Sequence, residues 1–354
     1  MLLYSANMNI PTSCHSFCGA VCAGVVMLTA ISAQAQNLFV SDLSSNVYEF
    51  TPDGTRSTFA SGLGASGPLA FNSKGDLFVA DPGGGEIYEF TPDGTQATFA
   101  SGIPQPTGLA FNSAGDLFVA DQNNGSIYEF TPDGTQTTFA SGLGNPVGNP
   151  EGLAFNSAGD LFVADWVGGN IYEFTTNGTQ TTFASEVEDL NDFAYPFALA
   201  FDSAGNLFVG NDGTLYNYIV EFTPDGAVST FVASGLTTAC GLAFNGAGDL
   251  FEADWGSGNI YEFTPNGTRS TFASGLVHPI ALAFQREPEL TAIVTNGVFQ
   301  LTVSMPSPYY STIIQASTDF VNWVNIYTNT PPFTFTDSMA TNFACRYYRA
   351  LLGP

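Results

Sequence analysis

Apolar and polar positions alternate along most of the chain in short runs, separated by connectors containing Gly and Pro. Four kinds of run follow one another in fixed order, and we label them a (LAF), b (LFVAD), c (IYEF) and d (TFAS). LAF stands at 69–71, 109–111, 153–155, 199–201, 242–244 and 282–284. The b runs begin at Leu38, Leu77, Leu117, Leu161, Leu207 and Leu250. The c runs end at Phe50, Phe90, Phe130, Phe174, Phe222 and Phe263. The d runs carry Phe59, Phe99, Phe139, Phe183, Phe231 and Phe272. Period-two alternation rich in Phe, Val, Ile, Tyr and Thr predicts strands. The connectors, Asn-Ser-Ala-Gly-Asp and Thr-Pro-Asp-Gly-Thr, are turn chemistry: Pro presets φ and Gly accepts a positive φ. Four short strands in a unit of about 40 residues, repeated, predict a β-propeller.

The order of the runs also predicts how the ring closes. The repeats start at a strand b and end on an unpartnered strand a at 282–284, so that last strand is expected to complete the first blade. Six blades then follow, with no open edge at the seam. Each strand carries one aligned Phe, which reads as core packed blade on blade. After Pro288 the repeat stops, and five further strand-like runs from 297 onward suit a small β-sandwich. The fold class is therefore all-β, with the six-bladed propeller at 36–287 and the sandwich at 288–354.

The repeat resembles NHL-type six-bladed propellers and, more loosely, the gluconolactonase-like family. The residues that carry this are Gly-Leu-Ala-Phe, Asp-Leu-Phe-Val-Ala-Asp and Gly-x-Ile-Tyr-Glu-Phe, over about residues 37–287. Propellers of this kind include enzymes, receptors and scaffolds, so the resemblance speaks to fold more than to activity. In gluconolactonase-like enzymes a channel acid and Asn or Asp ligands hold a divalent metal. Here Glu151 stands at the position of the acid, but the matching positions Gly67, Thr107, Phe197, Cys240 and Ile280 supply no Asn or Asp. Streptogramin lyase-like propellers depend on His, and the chain beyond residue 35 has one, His278. The C-terminal runs resemble a module common on exported bacterial proteins, on Gln315-Ala316-Ser317-Thr318-Asp319, Asn322-Trp323, Phe335-Thr336-Asp337 and Tyr347-Tyr348-Arg349-Ala350. That likeness implies attachment, sorting or spacing.

Loop lengths locate the expected site. Counted from Phe to Phe, each of the five a–b turns spans seven residues and each of the six c–d turns nine. The d–a span varies from 12 to 18 residues, and the b–c loop is longest after Phe208. Variable loops on one face of a rigid scaffold are where binding usually lives. That face collects Trp166, Trp255, Tyr195, Phe197, Tyr216 and Tyr218, with Glu186, Glu188, Asp189 and Asp192 in the longest loop. Aromatics among acids suit a glycan, a peptide or a cationic or other small-molecule ligand; equally, they suit plugs for widened loops. The acidic run and Glu151 are candidate ligands for a divalent cation such as Ca²⁺. Glu151 and Cys240 are the reactive side chains of the expected channel ring. Glu252 replaces the Val of strand b, which makes it either a functional acid or a tolerated defect. The Asp that ends strand b in five blades, Asn211 in the fifth, is read as a turn cap.

Charge narrows the partners. The chain has 32 Asp and Glu against 6 Lys and Arg, a net charge of −26. Nucleic acid and anionic membrane surfaces are excluded as direct partners, and a monomer is expected. The apolar stretch 17–35 ending in Ala33-Gln34-Ala35 reads as an export signal at 1–35, cleaved near Ala35. Three readings remain open: an exported binding or scaffold module, a metal-dependent lactonase- or lyase-like enzyme using the channel, and a structural cell-surface repeat protein.

Overall fold

The computed structural model describes residues 36–64, 67–143, 149–185, 195–212 and 217–285 of the propeller. Toward the C-terminus it describes 289–295, 298–304, 312–318, 322, 324–329, 333–337 and 347–352. The expected export signal, the acidic run Glu186–Asp192, Tyr216 and Trp323 lie outside the described residues. Among the described residues no helix is long and apolar enough to cross a membrane.

Six four-stranded antiparallel sheets form the blades, each in the order a-b-c-d. Blade one is completed as the sequence predicts. Pro279–Phe284 pairs with Leu38–Asp42, placing Val40 opposite Leu282 and Leu38 opposite Phe284. The six a strands pack side by side around the ring, the last against the first. They therefore line the central channel.

The neighbouring a strands come so close that Gly is required in some of them. A Cβ on Gly108 would sit 2.1 Å from the Glu151 carbonyl oxygen, and one on Gly152 would sit 2.5 Å from that of Phe197. This explains the Gly of the Gly-Leu-Ala-Phe motif where it occurs.

The aligned Phe residues knit blade to blade. Each strand-b ring packs on the strand-d ring of its own blade and the strand-a ring of the next. Phe118, for example, meets Phe139 and Phe155 edge-on at 5.0 and 5.1 Å. The strand-d ring then meets the strand-c ring of the next blade, as Phe139 does Phe174 at 5.5 Å. The pattern recurs round to the seam, where Phe251 meets Phe272 and Phe284, and Phe272 meets Phe50. Edge-to-face pairs add about 0.5–1.5 kcal/mol beyond area burial.

The turns opposite the variable face are held by their own side chains. Asn112 Oδ1 accepts from the Ala114 and Asp116 amides. Thr91 Oγ1 donates to Asp93, which also accepts from the Thr95 amide. These bonds hold Asp93 ionised below the usual carboxylate range.

The chain divides into compact units at Ala35–Arg286 and Glu287–Pro354. The C-terminal unit has two three-stranded sheets, built from Glu289–Thr295, Val298–Ser304 and Phe333–Asp337, and from Val324–Asn329, Thr312–Ser317 and Tyr347–Leu352. Tyr327 and Phe335 bring the two together at 5.1 Å between rings. The first strand of this unit, Glu289–Thr295, is not among the five runs expected from the sequence.

Candidate functional site

The strand-b Asp residues prove to be caps that set the variable face. Asp42 accepts from the amides of Ser44 and Val277, Asp121 from Gln105, and Asp165 from Asn149 and Gly168. One carboxylate thus ties the b–c turn to the d–a loop of its own blade. In blade five the position is Asn211, fully buried, donating to the Val209 carbonyl.

The residue after each cap, on the variable b–c turn, is Leu43, Pro82, Gln122, Trp166, Asp212 and Trp255. The backbone amide fixes most of them. Gln122, Trp166, Asp212 and Trp255 donate to the carbonyls of Gln105, Asn149, Tyr195 and Thr238. From blade three onward, each of these side chains reaches the next blade. Gln122 Nε2 donates to Glu151 Oε1. The Trp166 ring packs on Tyr195 at 5.6 Å. Asp212 Oδ1 accepts from Thr238 Oγ1 at 3.5 Å. Trp255 stacks on His278 at 4.0 Å and 20°, and His278 Nδ1 lies 2.9 Å from the Trp255 carbonyl oxygen. Blades one and two offer Leu43 and Pro82 instead. The mouth is therefore one-sided, with its chemistry on blades three to six.

Glu151 is 4% exposed, and burial pushes its carboxyl up to about 8. Thr107 Oγ1 beside it donates to the Pro150 carbonyl at 2.7 Å. Cys240 is a free thiol raised well above its ordinary value, first by burial and then by the charges of Asp212, Glu252, Glu151 and Asp254. Glu252 is wholly buried and accepts no hydrogen bond on either oxygen among the described residues. Burial, then Asp254, raises its carboxyl, against the opposing pull of Arg269.

The structure thus brings Glu151, Trp166, Tyr195, Phe197, Cys240 and Trp255 to one face. Phe197 is half-buried on its a strand, and Trp255 is 38% exposed over His278. Tyr218 departs from the loop position expected of it. It lies in strand Asn217–Phe222, 1% exposed, and fills the core between blades four and five. Gln122, Asp212 and Thr238 were not singled out from the sequence. For Gln122 and Asp212 the signal is positional: the residue after each cap changes from blade to blade while its neighbours repeat.

No group of three His, Cys, Asp or Glu side chains suited to a metal ion exists among the described residues.

Comparison with known proteins agrees with the architecture. Residues 62–186 match the family described as SMP-30/Gluconolactonase/LRE-like region. No curated protein sequence matches the chain. Among solved structures, a propeller in a nidogen/laminin complex superposes with a TM-score of 0.62 at 17% identity, covering 71% of this chain and 98% of that one. A gluconolactonase of Xanthomonas campestris gives 0.56 at 13% identity, over 76% and 92%. Virginiamycin B lyase of Staphylococcus aureus gives 0.54 at 16% identity, over 76% and 92%. At these identities the likeness is one of fold. The chain carries a six-bladed β-propeller with a gluconolactonase-like region across blades two to four.

Proposed function

We propose that the protein is an exported, monomeric binding module whose ligand site is the one-sided channel mouth on blades three to six. The observation that carries this is the buried Glu151 carboxyl, held at the mouth by Gln122 across a blade boundary. An isolated buried carboxyl is costly, and a propeller has no need of one for closure. Blades one and two close with Ile280 and Gly67 at the matching positions. Beside Glu151, Trp166 and Tyr195 offer apolar ring faces, the usual anchors of a binding site. The C-terminal sandwich serves attachment or spacing in this reading.

The test is a screen of glycans, peptides and small organic molecules against the wild type and the Trp166→Ala and Trp255→Ala variants. A ligand lost with Trp166→Ala supports the mouth. Ligands indifferent to both variants would favour a structural repeat protein. A metal-dependent lactonase- or lyase-like activity is the second reading, and the gluconolactonase-like match over 62–186 favours it. Lactone hydrolysis that depends on added divalent metal and disappears with Glu151→Gln would establish that reading instead.

A further inference from the structure

We propose a second ligand site, on the face opposite the variable loops. The cavity between blades five and six takes a small arylalkylamine, its ring among the phenylalanines and its ammonium group against Glu221 and Asp202. This site is independent of the channel mouth.

The cavity measures about 190 Å³ and is lined from blade five and blade six alike. About 150 Å³ of apolar cavity is enough to bind benzene, so one six-membered ring fits with room for a short polar arm. The walls are themselves rings: Phe208, Phe231, Phe244 and Phe263. Phe208 meets Phe231 and Phe244 edge-on at 5.0 Å, and Phe231 meets Phe263 at 6.0 Å. Phe231 and Phe244 are only half-buried, which leaves part of each for a further ring. An added aromatic gains apolar burial and edge contacts with them.

The same four phenylalanines recur at each blade boundary; what differs here is the spacing of the turns. A Cβ on Gly115, Gly159 or Gly205 would meet Pro132, Thr176 or Pro224, in the c–d turn of its own blade, at 3.9, 3.2 or 3.5 Å. Gly248 holds the same position in blade six, and a Cβ there would have nothing within 4 Å. Gly248 and Pro265, of the two blade-six turns, both line the cavity. The turns that close on one another in blades three to five therefore stand apart in blade six, beside the cavity.

The charged groups select the head of the ligand. Glu221 lines the cavity and is half-buried. It lies opposite Phe208 in the strand pair, so the carboxylate and that ring share one face of the sheet. Asp202 lines the cavity too, at a position where blades two, three, four and six have Asn. Its Oδ1 accepts from the amides of Ala204 and Asn206, and its Oδ2 from the Asn206 side chain, which fixes the carboxylate in its turn. The one Lys or Arg of blades five and six is Arg269. It does not line the cavity: it lies over Tyr261 and donates to the Gly235 carbonyl. Two carboxylates without a lining cation favour an ammonium group and disfavour an anion.

NMR titration of the full chain with benzylamine, and with benzyl alcohol and propylamine as its uncharged and ring-less counterparts, tests this. Benzylamine is expected to bind roughly tenfold or more tightly than either. Glu221→Gln and Asp202→Asn, each checked by its melting curve, are expected to weaken benzylamine and leave benzyl alcohol unchanged. Glu129→Gln removes the equivalent carboxylate between blades three and four and is expected to change nothing. No binding of benzylamine, affinity equal to that of either counterpart, or folded Glu221→Gln and Asp202→Asn variants that bind as the wild type does would overturn the proposal. Equal weakening by Glu129→Gln and Glu221→Gln would overturn it too, by showing an ammonium group drawn only to the overall negative charge. Trp166→Ala leaves this face intact and is expected to leave benzylamine binding unchanged; a loss there would place the ligand at the mouth instead.

Discussion

The Gln122 side-chain amide donates to the Glu151 carboxyl across the boundary between blades three and four. Each is the residue of its blade that departs from the repeat at the channel mouth. The bond is the one described hydrogen bond to a carboxyl that burial holds near 8. Stability should therefore depend on pH with a definite sign. The folded-state value lies above the ordinary 4.5, so the folded protein holds a proton that the unfolded chain has released. Stability is greatest below about 4.5, falls as pH rises toward about 8, and levels off beyond. Melting temperature measured across this window should decline in the wild type and decline less in Glu151→Gln. Gln122→Ala should steepen the loss, because the ionised carboxylate then has no donor.

Glu252 offers a second, separable effect. Its carboxyl is raised in the same direction, by burial and by Asp254. Glu252→Val restores the residue of the other blades and should stabilise the fold by about 1–3 kcal/mol near neutral pH. Glu252→Gln keeps the shape and should chiefly flatten the pH dependence. Urea unfolding of both variants at two pH values distinguishes these outcomes; destabilisation by Glu252→Val would show that the buried acid has a partner.

The seam gives the sharpest stability contrast. Leu282 is buried, and its strand is the one that completes blade one by pairing with Leu38–Asp42. Leu282→Pro removes a donor and a core side chain at once and should cost about 3 kcal/mol or more. Thr58→Pro, on the exposed outermost strand of the same blade, should cost far less. Equal unfolding midpoints would contradict closure through the last strand.

The Phe ring network predicts a gradient within one interface. Phe118 is 4% exposed and meets both Phe139 and Phe155. Phe118→Ala should cost about 3–5 kcal/mol. Phe139 lies on the outer strand and is only partly buried, so Phe139→Ala should cost less. Chemical denaturation of the two variants checks the order.

The fold was legible because repetition exposes it. LFVAD recurs nearly unchanged, and its period fixes strand, blade and closure together. Even the caps could be read, since a carboxyl repeated in every blade but one belongs to the scaffold. The site was legible only where it broke the repeat with an unusual residue. Glu151, Trp166, Trp255 and Glu252 stand out in this way. Gln122 and Asp212 do not, because polar residues in a polar turn carry no compositional signal. Their role comes from the cap beside them, which aims the next side chain at the following blade. Tyr218 misled for the opposite reason: a lengthened loop placed it in the turn by count, whereas the strand itself lengthens and buries it.

The central claim is that the ligand is held at the mouth formed by blades three to six. The most direct measurement is the dissociation constant of one ligand found by screening, for wild type, Trp166→Ala and Asp93→Ala. Asp93 lies in a c–d turn on the opposite face. The account predicts roughly tenfold or greater weakening in Trp166→Ala and no change in Asp93→Ala. Unchanged affinity in Trp166→Ala, or a loss confined to Asp93→Ala, would contradict it.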